Sequence, residues 1–320
     1  MKISNDLRSA ALTAVNACMG LQSSERVAVV TDEPCRMIGL ALFQVVQELG
    51  NDVFMVEIPP RKTHGEEPPA EVADLMLKMD VVLIPTSKSM THTNAKRNAQ
   101  AKGVRVATLP GVTEDMMVRC MNADYNKIAE RTNTLADLME KTSVIRVTSP
   151  AGTDITMPVE GRKAIRSDGL FREKGKGGNL PTGEAFMAPL EDQSQGIVVV
   201  DGSMAGIGIL RQPIHINVKN GYAKEIAGGE DAQKLVELLN IHGQLSRSVA
   251  EFGIGTNDKA KITGLILEDE KVLGTIHIAF GDNISMGGVV NVQSHLDGLI
   301  YSPTVWFDDR MIMKDGKLLV

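Results

Sequence analysis

From Glu25 to about Arg119, short β-branched runs alternate with stretches whose apolar positions recur at helical spacing. RVAVVTD (26–32) reads as a strand ending in polar residues, and CRMIGLALFQVVQELG (35–50) as a helix stopped at Gly50. DVFMVEIP (52–59), DVVLIPTS (80–87) and VRVATLPG (104–111) predict three further strands. PAEVADLMLKM (69–79) and NAKRNAQAKG (94–103) predict the helices between them, and TEDMMVRCM begins another. Strand–helix alternation with connections this short implies a parallel sheet with right-handed crossovers, a Rossmann-like layer arrangement. The first strand runs into TDEPCRM, which lacks the glycines of a dinucleotide site, and GIG at 206–208 and 253–255 completes no GxGxxG. KGKGG (174–178) fits no phosphate loop and predicts a turn-rich segment.

After a helical connector at roughly 123–142 the texture changes. Stretches 143–159, 195–204, 213–226, 261–281 and 298–309 read as strands and hairpins separated by GT, NG and DG turns. DAQKLVELLNIHG (231–243) is the clear helix among them. The expected fold class is α/β: a Rossmann-like parallel-sheet domain over 1–142, then a mixed, strand-rich α+β domain over 143–320 that binds metal.

Composition narrows the function. The 320 residues are 43% hydrophobic, enough for a sizeable core, and carry 34 basic against 40 acidic side chains. A net charge of −6 offers no basic face for nucleic acid and no polybasic membrane anchor. With 7 Phe, 3 Tyr and 1 Trp there is little surface for stacking bases. No apolar run is long enough for a membrane helix, and the opening MKISNDLRSAALTAVNACMGL reads as an amphipathic surface helix; the expected compartment is the cytoplasm. Cys18, Cys35 and Cys120 are odd in number and widely spaced, which predicts buried free thiols.

Candidate chemistry concentrates in the second half. In His295-Leu296-Asp297 the alternate positions of an extended segment point the same way, so imidazole and carboxylate address one point. His277 sits in the alternating TIHIAF, its hydrophobic neighbours facing away. Nitrogen and oxygen donors converging like this suit Zn²⁺, Mn²⁺, Co²⁺ or Fe²⁺, and a hydrogen-bonded structural pair is the other reading. Glu184 in NLPTGEAFMAP and Glu251 in VAEFGIGTN are acids among small and apolar residues, where a carboxylate needs a cation, whether metal, Arg or Lys.

Taken together, NLPTGEAFMAP, AEFGIGTN, EDEKVLGTIHIAFGDN and NVQSHLD, in that order, resemble the thermophilic-type metallo-aminopeptidases (aminopeptidase T and aminopeptidase S). The resemblance implies hydrolysis of N-terminal residues from small peptides by a metal-activated water. It implies two divalent ions, of Zn²⁺, Co²⁺ or Mn²⁺, held by Glu184, Glu251, His277, His295 and Asp297. The family's Tyr is absent from FGDNISMGG, with Tyr301 the nearest alternative. Chain length and SKSMTHTNAKRNA (87–99) look more like the related 2,5-dihydroxypyridine dioxygenases, which hold one Fe²⁺ by two His and an Asp; His277, His295 and Asp297 supply that set too. A non-enzymatic binder on the same scaffold is a third reading.

In the peptidase reading Glu270 of EDEKVLGTIH, next to Asp269 and Glu268, is the candidate proton shuttle; a solvated turn is its plain alternative. His92, at the end of a parallel strand, is the candidate for binding substrate. The expected partners are a small peptide or other small molecule and a second copy of the chain in a two-fold dimer, with no nucleic acid and no membrane.

Overall fold

The computed structural model describes residues 3–320 and divides into two compact units. The first comprises 1–129 and 169–182, the second 130–168 and 183–320. The change of texture read at 142/143 therefore coincides with no single cut. Helix Tyr125–Met139 runs through the boundary, and 169–182 belongs with the first unit.

Residues 169–182 contribute a strand. Gly177–Asn179 pairs in parallel with Arg105–Pro110, so KGKGG is not merely turn-rich; its glycines run into a sheet edge. The first unit's sheet has the order 53–57, 27–31, 81–86, 105–110, 177–179. Its pairings are parallel, as the strand–helix alternation requires. Val81–Thr86 is buried at every position, the mark of a strand covered on both faces. Three helix starts are capped by threonine or serine: Ser4, Thr93 and Thr113 accept from the backbone N–H three residues on.

The second unit has two antiparallel-paired sheets of eight and seven strands around one core. Asn220-Gly221 joins Ile214–Lys219 to Tyr222–Ala227; both turn residues have positive φ, as this hairpin needs. Within the stretch expected as strands at 261–281, Ile266–Asp269 is instead a short helix and the strand begins only at Ile276. Glu268 and Asp269 cause this by turning inward. Asp269 accepts from Thr263 N–H, Gly264 N–H and Ser203 Oγ–H, and Glu268 from Lys261 N–H.

Phe252 is fully buried in this core, edge-on to Phe307 with ring centroids 6.4 Å apart. Phe252→Ala is expected to cost about 3–5 kcal/mol, read as a fall in the denaturation midpoint. A loss below 1 kcal/mol would mean that the site sheet does not share its core in this way. The three cysteines are buried and form no disulfide, and no helix among the described residues is long and apolar enough to cross a membrane.

Candidate metal centre

Three neighbouring antiparallel strands, Val249–Gly255, Ile276–Gly281 and His295–Ile300, carry most of the polar residues singled out above, with Glu184–Met187 beside the first. Side chains alternate along a strand, and directly opposed residues share a face. Glu251 opposes Ala279, which opposes Asp297; Gly253 opposes His277, Gly281 opposes His295, and Gly255 opposes Glu184. One face therefore bears Glu184, Glu251, His277, His295 and Asp297, separated by small residues. The other bears Ala185, Phe252, Ile254, Ile276, Ile278, Phe280 and Ile300, all in the core.

Gly253 makes the room. A methyl group built there would collide with His277 Nε2 and Cε1. Bare backbone at this position lets the imidazole lie over the neighbouring strand and reach Glu251.

The side chains form a continuous line. Glu184 Oε2 lies 3.6 Å from His277 Nε2, which lies 3.0 Å from Glu251 Oε1. Glu251 Oε2 is 3.2 Å from His295 Nε2, and that nitrogen is 3.4 Å from Asp297 Oδ1. Glu251, His295 and Asp297 form a group that could hold a metal ion, each offering one ligand atom, all within 4.8 Å of one another. His277 stands behind Glu251.

The donor chemistry fits an ion. His295 Nδ1 lies 2.8 Å from the Asp282 carbonyl, which can only accept, so Nδ1 carries the hydrogen. In the neutral ring Nε2 then has its lone pair free towards Glu251 and Asp297, the outer-shell arrangement that metal-binding histidines use. Asp297 Oδ1 is buried without a hydrogen bond, a costly state that a cation relieves.

Charges respond to the crowding. Burial pushes Glu251 up, but hydrogen bonds from His277 and His295 outweigh it and hold the pKa to about 2. Burial pulls His277 down, yet Glu251, Glu184 and Asp297 lift it to about 9. His295 rises in the same way against burial, through Asp297 and Glu251. Both imidazoles are thus held towards their protonated form without metal, and an ion that takes one competes with its proton. Metal affinity is expected to climb with pH as His295 gives up its proton, by about tenfold per unit for the proton displaced. Calorimetric titrations with Mn²⁺ at pH 6.5 and 8.5 measure this, and equal affinities would remove the imidazoles from the binding step.

Glu270 is not a solvated turn residue. Its carboxyl pairs with the ammonium of Lys271, which also reaches Glu184 Oε1 at 2.6 Å. Burial, opposed by Lys271 and reinforced by Glu184 and Asp297, lifts Glu270 to about 8. Lys271 is the residue missed from sequence, because a Glu-Asp-Glu-Lys run ordinarily marks a solvated surface. The run itself carries no signal of its burial. His92 lies exposed in the other unit, just before helix Asn94–Ala101, its carbonyl accepting from Arg97. Tyr301 is 40% exposed beyond the His295 strand, its N–H donating to Asp201.

Over residues 8–320 the chain matches the model of the NicX family, 2,5-dihydroxypyridine 5,6-dioxygenase. It is 22% identical over 307 residues to the 2,5-dihydroxypyridine 5,6-dioxygenase of Pseudomonas putida, covering 87% of this chain and 86% of that protein. The solved 2,5-dihydroxypyridine dioxygenase of P. putida KT2440 matches with TM-score 0.84 at 19% identity, over 100% of this chain and 99% of that one. Wild-type AmpT from Thermus thermophilus matches with TM-score 0.72 at 17% identity, over 98% and 99%. At such identities the structural likenesses show a shared fold. The sequence-based expectation of a hydrolase, an aminopeptidase and proteolysis is corrected by the first two matches, since the family and the curated relative are dioxygenases. With it goes the role of Glu270 in protonating a leaving amine.

Proposed function

The chain belongs to the NicX family, 2,5-dihydroxypyridine 5,6-dioxygenase, and from that premise we propose that it opens the ring of a small hydroxylated N-heteroaromatic substrate of the 2,5-dihydroxypyridine kind, using dioxygen and one Fe²⁺. The observation that supports this reading is the convergence of Glu251, His295 and Asp297 within 4.8 Å on one face of a sheet. A nitrogen donor with carboxylate oxygens is a set that non-haem Fe²⁺ accepts. His277 meets the same carboxylate from its other side, at Glu251 Oε1, 3.0 Å away.

Bound Fe²⁺ supplies the redox and Lewis-acid chemistry that joins dioxygen to an aromatic ring. The protein's own residues do the rest. His295 and Asp297 present donors, and the Asp282 carbonyl keeps the imidazole of His295 in the tautomer that leaves Nε2 free. His277 donates to Glu251 and holds its carboxylate in place. The apolar face beneath fixes the three strands relative to one another, so the donors stay converged when no ion holds them.

Oxygen uptake tests the proposal. Metal-free protein reloaded anaerobically with Fe²⁺ and mixed with 2,5-dihydroxypyridine in aerated buffer is expected to consume one dioxygen per substrate, with loss of the ring's absorbance. Iron-loaded protein that leaves both oxygen and substrate untouched would end this reading.

A further inference from the structure

We propose that the ammonium of Lys271 fills the place of a second cation in this centre, so that Glu184 and Glu270 are its ion-pair partners and the chain holds one divalent ion. The inference rests on the reading of the cluster as a metal centre.

Lys271 is the cation that the fold itself installs. Its side chain is 2% exposed, and its Nζ meets Glu184 Oε1 at 2.6 Å and the Glu270 carboxylate on the other side. A buried ammonium is stable only with opposite charge and hydrogen bonds around it, and here the Glu184 and Glu270 carboxyl groups together supply them. Its backbone is pinned as well. The Lys271 carbonyl accepts from Asn257 N–H at 2.9 Å, in the segment following the Glu251 strand. A side chain at Gly255 would strike the Val272 carbonyl, so bare backbone there lets the Lys271-Val272 segment lie against the strand. The preceding helical turn is anchored through Asp269 on Ser203, Thr263 and Gly264. The ammonium is thus held from several sides before any ion arrives.

The two ends of the cluster differ accordingly. Among the described residues, the nitrogen groups that meet Glu251 and Asp297 are imidazoles, whose ring nitrogen can itself be a metal ligand. Glu184 already has a cation that cannot leave. A divalent ion bound there would sit next to a fixed positive charge in a buried site, where like charges repel strongly. One end remains open to a metal ion and the other is closed by a side chain.

Metal content decides. Wild-type protein, Glu184→Gln and Lys271→Met are stripped with chelator, reloaded with excess Mn²⁺ or anaerobically with Fe²⁺, desalted and analysed, with circular dichroism as the fold control. The expected stoichiometries are one ion per chain for wild type, one for Glu184→Gln, and two for Lys271→Met, in which both freed carboxylates can take a divalent ion. Two tight ions in wild type, or a single ion in folded Lys271→Met, would overturn the proposal while leaving a metal centre in place. No ion in wild type would instead overturn the metal reading itself. Should Lys271→Met not fold, Glu184→Gln still decides: retention of the one ion supports the proposal, and its loss makes Glu184 a ligand and refutes it.

Discussion

His295→Ala is expected to leave a folded protein that no longer retains divalent metal and consumes no oxygen. The substitution removes the nitrogen shared by Glu251 Oε2, at 3.2 Å, and Asp297 Oδ1, at 3.4 Å, and so deletes the middle member of the converging triad. Loss of an outer-shell partner alone weakens metal binding by about 10–100-fold, so loss of a ligand should exceed about 100-fold. The fold should survive, because Glu251 keeps its hydrogen bond from His277. His295 begins a strand, its side chain is 31% exposed, and the hydrogen bond to the Asp282 carbonyl is worth about 1 kcal/mol. His215→Ala is the matched control: His215 is an exposed residue on a strand of the other sheet, and its removal should leave metal content unchanged. One ion per chain in His295→Ala after desalting would place the centre elsewhere.

Gly253→Ala is the second large effect, and it reaches the site through a residue with no chemistry of its own. The added methyl collides with the His277 ring, which lies directly opposite across the strand pair. Either the ring swings off Glu251 or the strands part. Overpacking of this kind costs about 1–3 kcal/mol, and a displaced ring also leaves Glu251 buried with half its support. The expected result is a melting temperature lower by several degrees, together with weakened Mn²⁺ binding. Adding His277→Ala to Gly253→Ala should recover the overpacking share of the lost stability, because the methyl then occupies vacated space, while Glu251 stays without His277. A double variant whose losses simply add would show that Gly253 does not act through His277.

Much of this was legible along the chain. The parallel sheet of the first unit follows from β-branched runs broken by helical periodicity, a local pattern that burial on both faces enforces. The alternation in AEFGIG, TIHIAF and SHLDG already puts acids and imidazoles on one side and Phe, Ile and Leu on the other, since successive strand residues must face opposite ways. Reaction class was not legible in the same way. The motifs that suggested a peptidase occur in a chain whose family is that of a dioxygenase, and donors that suit one divalent ion suit several.

Residue types and strand period thus determined by themselves which side chains face the site, because those rules act between near neighbours in sequence. Only the tertiary structure decided how they pair. Strand order brought Glu184 and Asp297, far apart in the chain, onto one surface, and register set Gly253 under His277. The Glu-Asp-Glu-Lys run looked like a solvated turn because nothing local reveals burial. The fold turned Asp269 onto backbone N–H groups and drove Lys271 between two carboxylates, where desolvation makes the ion pairs obligatory. Charge in a sequence is a property of residues; whether it faces water or another charge is a property of the packing around it.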